Sequence, residues 1–135
     1  CIQYAWKIRT AHPRAQIIVT GHSLGGYLAQ VIGAICGLPF ISYNAPAAGA
    51  SFPGDPQIME TCDEGLNIRV EWDPVSRMVS GKHIGPIVQL PHYGINILNA
   101  HTGAAFLKSV ENSNFKDQRA IDFIRLKNRT ARGAM

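Results

Sequence analysis

The sequence predicts an α/β domain, a mostly parallel sheet with flanking helices. Three observations carry that expectation. The β-branched run at residues 16–20 leads straight into a glycine-rich turn, Gly21-His22-Ser23-Leu24-Gly25-Gly26. An apolar stretch of helical length follows at residues 27–36, stopped by Gly37 and Pro39. A second apolar run, Phe40-Ile41-Ser42-Tyr43, comes directly after it. Strand, helix and strand in this order make a right-handed crossover between parallel strands. The 135 residues suffice for one domain with a real core, and 46% hydrophobic against 16% charged composition excludes a disordered chain.

Residues 2–11 read as a helix, with Ile2, Ala5, Trp6 and Arg9 at helical spacing and His12-Pro13 ending it. The strand at 16–20 and the core helix to about Gly37 come next. Residues 39–44 form the second strand, and residues 45–54, rich in Pro and Gly, a loop. Asp55 caps a short helix with Pro56 at its first position, running to about Glu64 and ended by Gly65. Residues 66–72 alternate and read as a third strand, closed by Asp73-Pro74. Residues 74–86 read as irregular, and Ile87-Val88-Gln89-Leu90 as a short strand. Asn99 is the expected cap of a helix from about Ala100 to Glu111. A last helix is expected over 115–129, with Ala120, Ile121, Phe123 and Ile124 on its apolar face.

The turn at Gly21 to Gly26 fits G-x-S-x-G, in which a tight strand-to-helix turn exposes a serine hydroxyl. Gly21 and Gly25 are read as making room for the turn, and Gly26 as letting the helix lie close to the sheet. Ser23 is the candidate nucleophile. The N–H of Leu24, at the positive end of the helix, is the candidate oxyanion donor. A serine needs a base, and the base an orienting acid. In this arrangement they follow in the chain order serine, acid, base. Asp73, at the end of a strand, is the candidate acid. Asp55 and Asp63 fall in or beside a helix, and Glu71 lies within the strand. For the base, His101 sits at the start of a helix, with His83 and His92 as alternatives. His22 is read as packing or bonding under the turn.

Other chemistries find little support. The histidines and cysteines lack metal-ligand spacing, and no phosphate-binding glycine loop is present, so neither metal nor cofactor is expected. Cys36 reads as a buried thiol, and pairing of Cys1 with Cys62 stays open. The net charge of +4 is concentrated in Arg119, Arg125, Lys127, Arg129 and Arg132. That basic end fits a solvated helix face or peripheral contact with an anionic membrane surface. Without interleaved aromatics, nucleic acid is not an expected partner. No apolar run approaches the roughly 20 residues of a membrane span.

With these residues placed, the chain resembles the class 3 lipases, or bacterial phospholipase-like relatives in the α/β-hydrolase superfamily. The resemblance rests on residues 19–26 with Leu28-Ala29, on Tyr43-Asn44-Ala45-Pro46, and on Asn67-Ile68-Arg69-Val70 leading to Asp73-Pro74-Val75-Ser76. His101 completes it, and it extends to about residue 110. It implies an α/β-hydrolase fold, with Ser23 as nucleophile, Asp73 as acid and His101 as base. The implied activity is hydrolysis of carboxylic esters, lipid esters above all, through an acyl-enzyme. It also implies that residues 1–135 are the C-terminal part of a single α/β-hydrolase domain. The strands preceding the elbow, with the second oxyanion donor and any lid, would then lie before Cys1. A secreted or membrane-peripheral location is the matching expectation. Two other readings use the same residues: an acyltransferase or thioesterase with this triad, and a non-catalytic module binding lipid or protein. Phe52, Pro53, Ile84, Ile95 and Leu98 are candidates for the lining of an acyl groove.

Overall fold

Among the described residues, four strands form one parallel sheet in the order β1-β2-β3-β4. They are β1 (Val19–His22), β2 (Phe40–Tyr43), β3 (Gly65–Val70) and β4 (Ile87–Leu90). The computed structural model describes residues 1–79, 81–93 and 99–113, and of Ala50 and Thr61 only the backbone. Helix α1 (Ile2–Ala11) precedes the sheet. Helices α2 (Leu24–Cys36), α3 (Pro56–Thr61) and α4 (Val75–Met78) lie in the successive connections, and α5 (Gly103–Asn112) follows. The helix expected over 115–129 and the basic residues from Arg119 onward lie outside the described residues.

Alternation along the strands sorts side chains onto two faces. Phe40 packs with Ala29, Val31 and Ala34 of α2 and with Ile84. Leu66, Ile68, Val70, Val88 and Leu90 pack with Phe106 of α5 on the other face. Polar ties fix the connections. Buried Gln30 of α2 donates to the Pro46 carbonyl at 3.0 Å and accepts from the Ile84 N–H at 3.2 Å. Asn67 accepts from Ser42 at 2.6 Å and donates to the Ile84 carbonyl at 2.7 Å. Cys36 is buried, and burial pushes its thiol pKa up. No disulfide joins Cys1 to Cys62. No described helix is long and apolar enough to cross a membrane.

Several boundaries differ from the sequence reading. Strand β1 starts at Val19, not at residue 16. Val19 pairs with Phe40, so Ile18 falls opposite Pro39, which has no N–H to give to a ladder. Pairing runs on past Thr20, since the Ser23 N–H still donates to the Tyr43 carbonyl at 3.0 Å. Helix α3 ends at Thr61, and Gly65 opens β3 rather than closing the helix. Gly65 is needed there because the Phe40 ring occupies the place of a side chain, 2.1 Å from where a Cβ would stand. Strand β3 stops at Val70. Glu71 and Trp72 form a turn closed by the Asp73 N–H on the Val70 carbonyl, with Trp72 at φ +66°. Residues 75–78, expected to be irregular, are helical. Helix α5 is capped by Thr102, not Asn99: the Thr102 hydroxyl oxygen accepts from the Ala105 N–H, and Asn99 instead closes a turn onto Thr102.

Candidate active site

Parallel strands bring their C-terminal ends to one edge, where α/β sheets present their loops. The first three strands here end one or two residues before a non-glycine residue of positive φ. These are Ser23 (56°), Asn44 (44°) and Trp72 (66°). Such backbone costs about 1 kcal/mol or more per residue and persists only where its surroundings hold it.

At Ser23 the surroundings are the turn from β1 into α2. Gly21 and Gly26 make the turn possible. A Cβ on Gly21 would stand 2.2 Å from the Gly25 carbonyl oxygen, and one on Gly26 2.6 Å from the Ala45 Cβ. Gly25 does not have the room-making role the motif suggested, because nothing lies within 4 Å of a Cβ built there. Its backbone is what approaches Gly21.

Ser23 is the N-cap of α2, where a serine oxygen usually accepts from an N–H of the first helical turn. Here φ 56° and ψ −127° turn the side chain away, and it makes no capping bond. The Ser23 carbonyl takes the Gly26 and Tyr27 N–H groups instead. That leaves the hydroxyl for His101, whose Nε2 lies 2.7 Å from Ser23 Oγ. His101 Nδ1 lies 2.8 Å from Asp73 Oδ1. A carboxylate only accepts, so Nδ1 carries the proton and donates, and Nε2 accepts from the serine. Asp73 is wholly buried, and its Oδ2 accepts from the Ser76 N–H at 2.8 Å. Both carboxylate oxygens therefore have donors, which offsets the cost of burying the charge.

The other histidines take different places. His83 donates from Nε2 to the Ala45 carbonyl at 2.8 Å. Burial lowers its pKa, the bond to Ala45 opposes that, and the nearby Arg69 charge lowers it further. The ring nitrogens of His92 are buried with no hydrogen-bond partner among the described residues. Neither contacts Ser23 or Asp73 through a described hydrogen bond. His22 does not sit under the turn. It stacks on His101, with ring centroids 4.8 Å apart and planes at 30°.

Leu24 opens α2, and its N–H, the first of the helix, has no acceptor within the helix. No acidic side chain stands in that turn to compete for the positive helix end. Of the residues read as lining a groove, Phe52 packs in the α2 core cluster and Ile84 is buried there. Pro53 is exposed, and Ile95 and Leu98 lie outside the described residues. Among the described residues no group of three or more metal-ligating side chains is present. Asn44 was legible only as part of a motif. Its contacts, to the Ala100 carbonyl at 3.1 Å and from the Val70 N–H at 2.8 Å, join two distant segments. A polar residue ending a buried strand is the one sequence signal that pointed to it.

No family model matches the chain. Short local matches mark a lipase-like region. A 40-residue stretch is 51% identical to a Kluyveromyces lactis protein named "Putative lipase ATG15", covering 30% of this chain and 8% of that protein. A Mycosarcoma maydis protein of the same name is 47% identical over 40 residues, again 30% of this chain and 8% of the relative. A Yarrowia lipolytica protein so named is 51% identical over 35 residues, 26% of this chain and 6% of the relative. The matched stretch is thus a small part of each relative's length.

Proposed function

We propose that the chain carries the catalytic centre of a serine hydrolase acting on carboxylic esters of lipids, on part of an α/β-hydrolase fold. The observation that carries this reading is the unbroken hydrogen-bond chain from Ser23 through His101 to buried Asp73. It starts from a serine that has given up its capping bond. The lipase name of the locally matching relatives supports an ester substrate of lipid type. So does the apolar character of the exposed neighbours of the site in the chain, Leu24 beside Ser23 and Trp72 beside Asp73.

The mechanism follows from the donor directions. His101 Nε2 takes the Ser23 proton as Oγ attacks the ester carbonyl carbon. The carbonyl electron pair moves onto oxygen, and the Leu24 N–H stabilises the oxyanion. Asp73 holds the imidazolium in place through Nδ1–H. Collapse of the intermediate breaks the bond to the alcohol oxygen, which leaves with the proton from Nε2. Ser23 is then acylated. Water, losing a proton to Nε2, attacks the acyl carbon. The second collapse releases the carboxylic acid, and the proton returns to Ser23.

A fluorophosphonate probe and a short-chain p-nitrophenyl ester test this on the full chain. Label is expected on Ser23 by peptide mass spectrometry, with turnover of the ester. Ser23→Ala is expected to lose both, turnover falling by about a millionfold, at unchanged melting temperature. A folded Ser23→Ala protein that still hydrolyses the ester at the original rate would sink the reading.

A further inference from the structure

His101 lies eleven positions beyond Leu90, the last residue of β4. Within its own segment, the Thr102 N–H and hydroxyl both donate to the Asn99 carbonyl, which curls residues 99–102 into a turn. Two side chains from the sheet then take the next two carbonyls in succession. Asn44, just past β2, donates to the Ala100 carbonyl at 3.1 Å. His22, the last residue of β1, lies with Nε2 3.0 Å from the His101 carbonyl oxygen. A carbonyl only accepts, so His22 carries its proton on Nε2 and donates. The ring of His22 meanwhile stacks on that of His101 at 4.8 Å.

From these contacts we infer that His22 is a positioning residue: it holds both the backbone and the ring of His101 in line with Ser23. The inference rests on the proposed hydrolase reading. The imidazole must keep Nε2 on Ser23 and Nδ1 on Asp73 through a cycle in which it is protonated and deprotonated twice. Asp73 fixes one ring atom and leaves the ring able to swing about that contact. The Nε2–H bond to the His101 carbonyl holds the root of the ring and so limits that swing, and the stacked face of His22 adds a weaker restraint. Asn44 acts on the neighbouring peptide. Its other end accepts from the Val70 N–H at 2.8 Å, so the loop bearing His101 and the strand leading to Asp73 are referred to the same buried side chain. His22 adjoins Ser23 in the chain, so nucleophile and base share one anchor.

The two parts of this role separate in two variants. His22→Phe keeps a ring and loses the donor. His22→Gln keeps an amide N–H at the same number of bonds from Cβ and loses the ring. A misplacement of about 1 Å at a reacting group costs about a hundredfold in rate. His22→Phe is therefore expected to lower kcat by about ten- to a hundredfold with KM nearly unchanged, and His22→Gln to recover a large part of that loss. A readout independent of turnover accompanies it, the downfield proton resonance of His101 Nδ1–H. It should stay sharp in His22→Gln and broaden by exchange with water in His22→Phe. Wild-type kcat and a sharp resonance in His22→Phe would overturn the inference, as would equal losses in both variants. A wild-type chain that neither takes the probe nor turns over ester would instead overturn the hydrolase reading. The resonance would still report whether His22 holds the ring.

Discussion

Ser23 occupies a cap position and declines the cap. In most helices the N-cap oxygen accepts from the first turn, and its loss costs about 1 kcal/mol. Here that stabilisation is forgone and a positive-φ backbone is tolerated as well, both for a hydroxyl aimed at His101. Asp73 shows the complementary case, a buried charge with each oxygen committed to one donor. That commitment makes Asp73→Asn informative. The Ser76 N–H requires an acceptor, so the amide oxygen of the variant stays on Ser76 and its NH2 turns to His101 Nδ1. His101 must then accept at Nδ1 and carry its proton on Nε2, where it cannot take one from Ser23. Turnover should fall by about four orders of magnitude, while the fold, with Ser76 still satisfied, keeps its melting temperature. A loss of less than tenfold would show that Asp73 does not set the tautomer.

The turn between β1 and α2 depends on two close approaches, and these separate its three glycines. Gly21 meets backbone atoms and Gly26 meets both Ala45 and the Gly21 carbonyl, so neither neighbour can step aside cheaply. Gly21→Ala and Gly26→Ala should each destabilise by about 2 kcal/mol. Gly25→Ala, opening onto empty space within α2, should stabilise by about 0.5 kcal/mol. Chemical denaturation of the three variants checks the order, and a Gly25→Ala protein as unstable as Gly21→Ala would contradict it. The motif alone could not rank these glycines, because the pattern records their spacing and not which Cβ would meet an atom. Other element-level readings divided in the same way. The Asp55-Pro56 start of α3 and the Gly37 stop of α2 were legible, being set by local chemistry. The start of β1 was not, because it depends on a proline that precedes a different strand.

Across the whole molecule, the α/β class and the parallel crossover were readable from periodicity, and the order serine, acid, base pointed to residues that do meet. What holds them was not readable. Gln30, Asn44, Asn67 and His83 act through carbonyls and N–H groups of distant segments, and no spacing in the chain announces such pairs. These buried ties also set how the fold responds to acid. His83 donates to the Ala45 carbonyl, beside the Pro46 carbonyl that Gln30 holds, and burial lowers its pKa. An unfolded histidine titrates near about 6.5. As pH falls through that value the unfolded chain binds the proton first, and the folded chain resists it until the lowered folded value is reached. Stability from this group is therefore complete above about 6.5 and declines as pH drops below it. His83→Gln keeps a donor to Ala45 and removes the titration. Between pH 7 and pH 5 the wild-type melting temperature should fall more steeply than that of His83→Gln. Groups that titrate alike in both proteins cancel in the difference. Parallel curves over that range would show that His83 is protonated as easily in the folded protein as in the unfolded chain.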